Sequence, residues 1–183
     1  MARPICERVK DEIITSLEMT SPDQLRHARP APASIELREV QPDEARLCRD
    51  TWTRIGSPHG WTRRAKWSDE EWLTRLAPPE VTGFLARVGG DVAGYLELEA
   101  EGRGNVGITF FGLVPEFVGK GFGGAFLTEA TKLAWSLPSP GGTPPKRVWL
   151  QTSSRDHPNA LPNYEARGFR SFRRERRSVD LTE

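Results

Sequence analysis

Apolar residues recur along the chain at two spacings, every second position and every third or fourth, and the switches between them mark out elements. Residues 35–37 alternate as a short strand, and Pro42 with Asp43 then opens a helix whose apolar set is Ala45, Leu47, Cys48 and Trp52. A loop rich in Gly, Pro and Trp follows. Ser68 ahead of Asp69, Glu70 and Glu71 reads as an N-cap with acids in the first turn. Trp72, Leu73 and Leu76 give that helix its apolar stripe, and Pro78 and Pro79 end it. Three strand-like runs come next, 81–88, 92–100 and 106–114, separated by Gly89, Gly90 and Asp91 and then by Gly102, Arg103 and Gly104. Short glycine-rich connections join antiparallel neighbours, so the three runs predict a meander.

A long amphipathic segment, 121–136, leads through a Pro/Gly stretch to a strand at 147–152. A helical crossover separates that strand from 106–114, so the two are expected to pair in parallel. Residues 160–167 predict a short helix with Asn159 at its N-cap, Pro162 in its first turn and Gly168 as its stop, and 169–181 supply one or two final strands. Upstream, residues 22–34 carry three prolines and read as a linker or surface arm, which sets the domain at 35–183 and leaves 1–34 outside it. Residues 13–19 either dock on the domain as a strand or stay loose, and the pattern leaves both open. The sum is a single α/β (α+β) domain, a mixed and mostly antiparallel twisted sheet flanked by helices.

A length of 183 residues suits one domain. The formal charge of +1 gives no global field to gather nucleic acid or anionic lipid, so a small-molecule partner is expected. The arginines at 167, 170, 173, 174, 176 and 177 raise the question of nucleic acid. Glu175 and Asp180 dilute them, however, and arginines along a terminal strand also protect a sheet edge, so no nucleic acid is expected. Cys6 and Cys48 lie far apart with no second ligand at metal spacing, which predicts neither disulfide nor metal site. Charged residues interrupt the first twenty positions and no 18-residue apolar run follows. The expected location is cytoplasmic, away from membranes.

The chemistry concentrates at residues 113–124, LVPEFVGKGFGG. A strand ends at Pro115, glycines at 119, 121, 123 and 124 let backbone N–H groups approach a ligand, and a helix starts directly behind them, with Lys120 adding charge. That is the pattern of an anion cradle. Gly119, Gly121 and Gly124 also match GxGxxG literally, but a dinucleotide fold wants the loop early in a βαβ unit and an acid about 20 residues on. Here antiparallel strands precede the loop and the next acids are Glu129 and Asp156. A helix start with glycines for tight packing is the plainer alternative.

The order of elements, VPEFVGKGFGGAFL at 114–127 and NYEARGF at 163–169 resemble the GNAT superfamily of acetyl-CoA-dependent N-acyltransferases, over roughly residue 35 to the C-terminus. In that family a Q/R-x-x-G-x-G/A loop binds the coenzyme A pyrophosphate. It maps onto Val118, Gly119, Lys120, Gly121, Phe122 and Gly123, followed by Gly124, with Val118 where the family carries Gln or Arg. The resemblance implies that the strand before the loop splays from its parallel neighbour. Backbone groups at Leu113, with Val114 beside it, would then pair with the pantetheine arm. It also implies that Tyr164 protonates the departing thiolate, against the alternative of an amphipathic core tyrosine. Asn159 lies where the family often contacts the coenzyme arm, although His157 stands at the usual position.

Several members of the family place a Glu base at a position that is Gly107 here. By period two, Tyr95, Glu97, Glu99 and Glu101 share one strand face, and Glu97 is the expected base, a solvated face being the alternative. In the loop 56–67, Trp61 and Trp67 offer apolar walls and Arg63, Arg64 and Lys66 offer charge, either for a carboxylate-bearing acceptor or as solvated surface. The expectation is an N-acetyltransferase for a small amine, monomeric or homodimeric. The alternative is a coenzyme A-binding sensor or interaction module without catalysis.

Overall fold

The two glycine turns fold residues 81–113 back on themselves as an antiparallel meander, and the computed structural model builds the rest of the sheet outward from it. Residues 9–61, 63–139 and 141–180 are described. In chain order the elements are β1 (Val9–Met19), β2 (Glu36–Glu39), α1 (Ala45–Gly56), α2 (Asp69–Leu76), β3 (Val81–Val88), β4 (Asp91–Gly102), β5 (Asn105–Leu113), α3 (Gly123–Ser136), β6 (Arg147–Ser153), α4 (Ala160–Ala166) and β7 (Arg170–Asp180). Seven strands lie in the order β2-β3-β4-β5-β6-β1-β7, all antiparallel except β5 with β6. The final stretch forms one strand, with Leu181 and Cys6 outside the described residues.

The local chemistry explains where elements begin. Ser68 caps α2 through its side chain at Glu71 N, and Glu71 reciprocates at the Ser68 backbone, closing a capping box. Leu73, expected on the apolar stripe, is 40% exposed, whereas Trp72 is fully buried, because α2 is short and turns only one narrow face inward. Helices α1 and α2 cover one side of the sheet with Cys48, Trp52, Trp72, Leu85, Tyr95 and Phe110. On the other side α3 and α4 close over Leu17, Leu98, Ile108, Phe126, Leu127 and Leu150.

The question left open for residues 13–19 has a definite answer. Strand β1 runs between β6 and β7, from Ile14 opposite Ser153 to Met19 opposite Val148 on one side and from Val9 opposite Asp180 on the other. Leu17 and Met19 are fully buried, and each such side chain contributes roughly 1.5–3 kcal/mol. The sheet therefore starts well upstream of residue 35. The proline-rich stretch is a surface arm: the Arg26 N–H donates to Arg167 O at 2.9 Å and the Ala28 N–H to Thr128 Oγ1 at 3.1 Å. It lies across the start of α3 and the end of α4. Strand β7 forms the sheet edge, where its arginines discourage pairing with another chain.

Candidate active site

The parallel ladder between β5 and β6 runs only from Asn105 opposite Arg147 to Ile108 opposite Leu150. At that point the register of β4 with β5 shifts, from Glu97 opposite Phe110 to Leu98 opposite Ile108, which leaves Thr109 as the extra residue of a bulge. A bulge bends its strand and increases its twist, so β5 turns away from β6 immediately after Ile108. The Val114 N–H bonds to Ala93 O across the opposite pair. By antiparallel alternation the N–H and C=O of Leu113 then face away from β4, toward the opening.

Beyond the opening the chain forms the predicted glycine loop. Gly119 and Gly121 have φ of 76° and 87°, a backbone that side chains other than glycine rarely adopt. The N–H groups from Gly119 through Ala125 donate to no protein acceptor among the described residues. They end at the N-terminus of α3, where the helix dipole favours an anion. A Cβ on Gly124 would lie 2.5 Å from Arg167 Nη1, so the missing side chain there leaves room for a guanidinium behind the loop. The arm closes the other side, with Pro32 at 3.5 Å from a Cβ placed on Gly121. Unpaired donors, positive backbone angles and a nearby cation fit a diphosphate.

A cleft of about 470 Å3 joins these parts. It is lined by Leu113, Val118, Gly119, Gly121, Gly123 and Gly124, and on the α4 side by Asn159, Asn163 and Tyr164. Asn159 occupies the N-cap position without a side-chain cap bond. The Tyr164 ring packs between Phe111 and Phe169, at 6.2 and 6.3 Å between centroids. Burial first, and then the charge of Asp156, push its phenol pKa above the ordinary 10, so the hydroxyl keeps its proton.

A second cavity of about 240 Å3 shares Trp61, Phe111, Asp156 and Tyr164 with the first. Asp156 is held by Thr152 Oγ1 and the Ser153 N–H, both donating to its Oδ2 at 2.8 Å. Arg64, from the predicted binding loop, also lines this cavity.

Other expected site residues lie elsewhere. Glu97, expected as the base, is fully buried and lines neither cavity. Arg64 Nη1 donates to its Oε2 at 2.8 Å, and Arg75 Nε and Nη2 donate to its Oε1 at 3.0 and 2.7 Å. Thr109 Oγ1 also donates to Oε1, at 3.0 Å, and Tyr95 OH to Oε2 at 3.3 Å. Burial by itself would raise the Glu97 pKa, but the two guanidiniums outweigh it and the net shift is downward. A carboxylate so occupied is a poor base. Val114 is buried with its N–H already bonded. Lys120 and Phe122 give backbone N–H groups to the loop, but the Lys120 side chain is exposed outside the cleft and the Phe122 ring is buried, packing on Phe117 at 5.4 Å. Arg63 is exposed and Trp67 packs on Trp72 at 5.6 Å, and neither lines either cavity. Sequence reasoning gave no site role to Asn163 and Arg167, although both lie in the 163–169 motif, nor to Thr109 and Gln151, which carry no local motif and meet the site only through the tertiary fold.

Among the described residues there is no cluster of three or more groups able to hold a metal, and no helix is long and apolar enough to cross a membrane. The family model for the acetyltransferase (GNAT) family matches residues 44–169. No curated protein matches the chain in sequence. Among solved structures, a conserved protein of unknown function from Staphylococcus epidermidis aligns over 94% of this chain and 63% of its own, at TM-score 0.70 and 12% identity. A GCN5-related N-acetyltransferase from Sphaerobacter thermophilus aligns over 92% and 52%, at TM-score 0.65 and 21% identity. An acetyltransferase from Thermus thermophilus aligns over 80% and 97%, at TM-score 0.56 and 18% identity. These likenesses show a shared fold. The chain spans about half to two thirds of the length of the first two.

Proposed function

The chain belongs to the GNAT family of acetyltransferases, and from that premise we propose that it moves an acetyl or short acyl group from acetyl-CoA to the amine of a small acceptor by direct attack. The observation that carries this reading is the run of unpaired N–H groups from Gly119 to Ala125 beside an open strand edge, in one cleft with Tyr164.

Acetyl-CoA, when bound, supplies an activated thioester and a thiolate leaving group. The loop amides hold the diphosphate, and the outward N–H and C=O of Leu113 hold the amide arm by strand addition. Tyr164, kept protonated in its apolar pocket, donates to the leaving sulfur. Asp156 borders both cavities and has no donor on Oδ1 among the described residues, so it accepts the amine proton, directly or through water. Direct attack is supported by Cys48, which is buried with its thiol pushed up to about 12 and is therefore no nucleophile. The sequestration of Glu97 favours one second reading, a coenzyme A-binding module without turnover.

Calorimetric titration with coenzyme A, followed by thiol release across a panel of amines, separates the two. Tyr164→Phe is expected to lower kcat roughly 100-fold with coenzyme A affinity unchanged. Unaltered turnover would remove Tyr164 from the mechanism. Tight coenzyme A binding with no thiol release from any amine would establish the module reading instead.

A further inference from the structure

The second cavity ends in a guanidinium that the fold has fixed in place. Arg64 Nη1 is bonded to Glu97, and its guanidinium carbon sits 5.1 Å from the Trp67 ring centre and 5.9 Å from that of Trp72. Glu97 is tied in turn to Arg75, which reaches Glu99 at 2.6 Å. Four alternating charges thus run from the outer part of the sheet inward and stop at Arg64, on the wall of the cavity. Two tryptophans and a buried carboxylate hold the planar fork before any ligand arrives, which reduces the ordering cost of binding.

The fork still has donors to give. Nη1 makes the Arg64 hydrogen bond seen among the described residues; Nε and Nη2 have no acceptor, and the side chain keeps 19% of its exposure. Trp52, 5% exposed on the same cavity, has an indole N–H that likewise finds no partner among the described residues. Asp156, bordering both cavities together with Tyr164, supplies the opposite sign. The volume of about 240 Å3 lies below the usual range for drug-sized ligands and suits something of amino-acid size.

We propose that Arg64 makes this cavity a carboxylate subsite, so that the acceptor is a small amine that also carries a carboxylate. The identity of the acceptor rests on the acyl-transfer reading above, whereas the subsite itself rests on binding alone. A guanidinium there repels polycationic amines and pairs a carboxylate through two parallel N–H bonds, a geometry that a lysine does not reproduce. The acceptor's ammonium then sits toward Asp156 and Tyr164, where its nitrogen is needed.

The test uses coenzyme A-saturated protein and matched probes: glycine, β-alanine and γ-aminobutyrate against methylamine, ethylamine and propylamine. Binding is read by calorimetry and by the fluorescence of the cavity tryptophans, and turnover by thiol release. The best carboxylate probe is expected to bind about tenfold or more tighter than its partner amine. Arg64→Gln should erase that ratio and Arg64→Lys restore part of it. Because Arg64→Gln also leaves Glu97 Oε2 with the Tyr95 hydroxyl alone, Gln151→Glu serves as a second variant: it sets a negative charge on the cavity wall without touching that network, and it should weaken the carboxylate probes selectively. Equal binding within pairs, or tighter binding of the plain amines, would overturn the subsite even if acyl transfer proceeds. Carboxylate preference in binding without thiol release would leave the subsite standing and remove the acyl-transfer reading.

Discussion

Glu97 takes hydrogen bonds from Arg64, Arg75, Thr109 and Tyr95 and is shut off from solvent, which gives a strand carboxylate the work of a joint. It holds the bulged Thr109 where β5 leaves β6 and holds Arg64 against its tryptophans. Glu97→Gln keeps the shape but takes the carboxylate from Arg64 and leaves Arg75 with Glu99 alone, both guanidiniums being partly exposed, so a loss of about 1–3 kcal/mol is expected in denaturant unfolding. The pH dependence follows from the depressed pKa. The stabilisation is present above the ordinary value of 4.5 and is lost as pH falls through the lower folded-state value. The stability gap between wild type and Glu97→Gln should therefore narrow in acid; a gap independent of pH would refute the charge assignment. The sequence placed Glu97 on the correct face of β4 but gave no sign of its partners, which come from residues up to 33 positions away.

At the scale of elements, the glycine loop and α3 were readable because their requirements are local: positive φ, free N–H groups and a helix start all lie within a few residues. Gly121→Glu should abolish coenzyme A binding in calorimetry while the fold loses only about 1–2 kcal/mol for the backbone strain. Retained affinity would move the diphosphate away from this loop. The splay was less legible, since the bulge at Thr109 depends on the register of two strands and on the carboxylate that pins it. The misplaced loop residues have a similar origin. Trp67 and Arg63 share a composition with Trp61 and Arg64, and only the turn of the loop around α2 decides which pair meets the cavity.

For the molecule as a whole, β1 was the element hardest to read. Thr15 and Ser16 are buried at 4% and 3% exposure while Ile13 is 45% exposed, so burial along β1 does not follow its apolar residues; the register shift against β7 falls on Phe172, the extra residue opposite Ser16 and Leu17. Its pairing on both sides makes it central nonetheless. A chain lacking residues 1–20 is expected to lose cooperative unfolding by calorimetry and to expose the edges of β6 and β7; a sharp melt at the wild-type temperature would show β1 to be dispensable. The placement also carries a penalty during biosynthesis. Strand β1 leaves the ribosome before its neighbours exist, and β7 emerges some 160 residues later, roughly ten to thirty seconds at ordinary translation rates. One hydrogen-bonding margin of β1 waits for β6 and the other for β7, so until those strands emerge both are open to water or a holdase, and completing the sheet depends on residues 147–180 reaching back to residues 9–19.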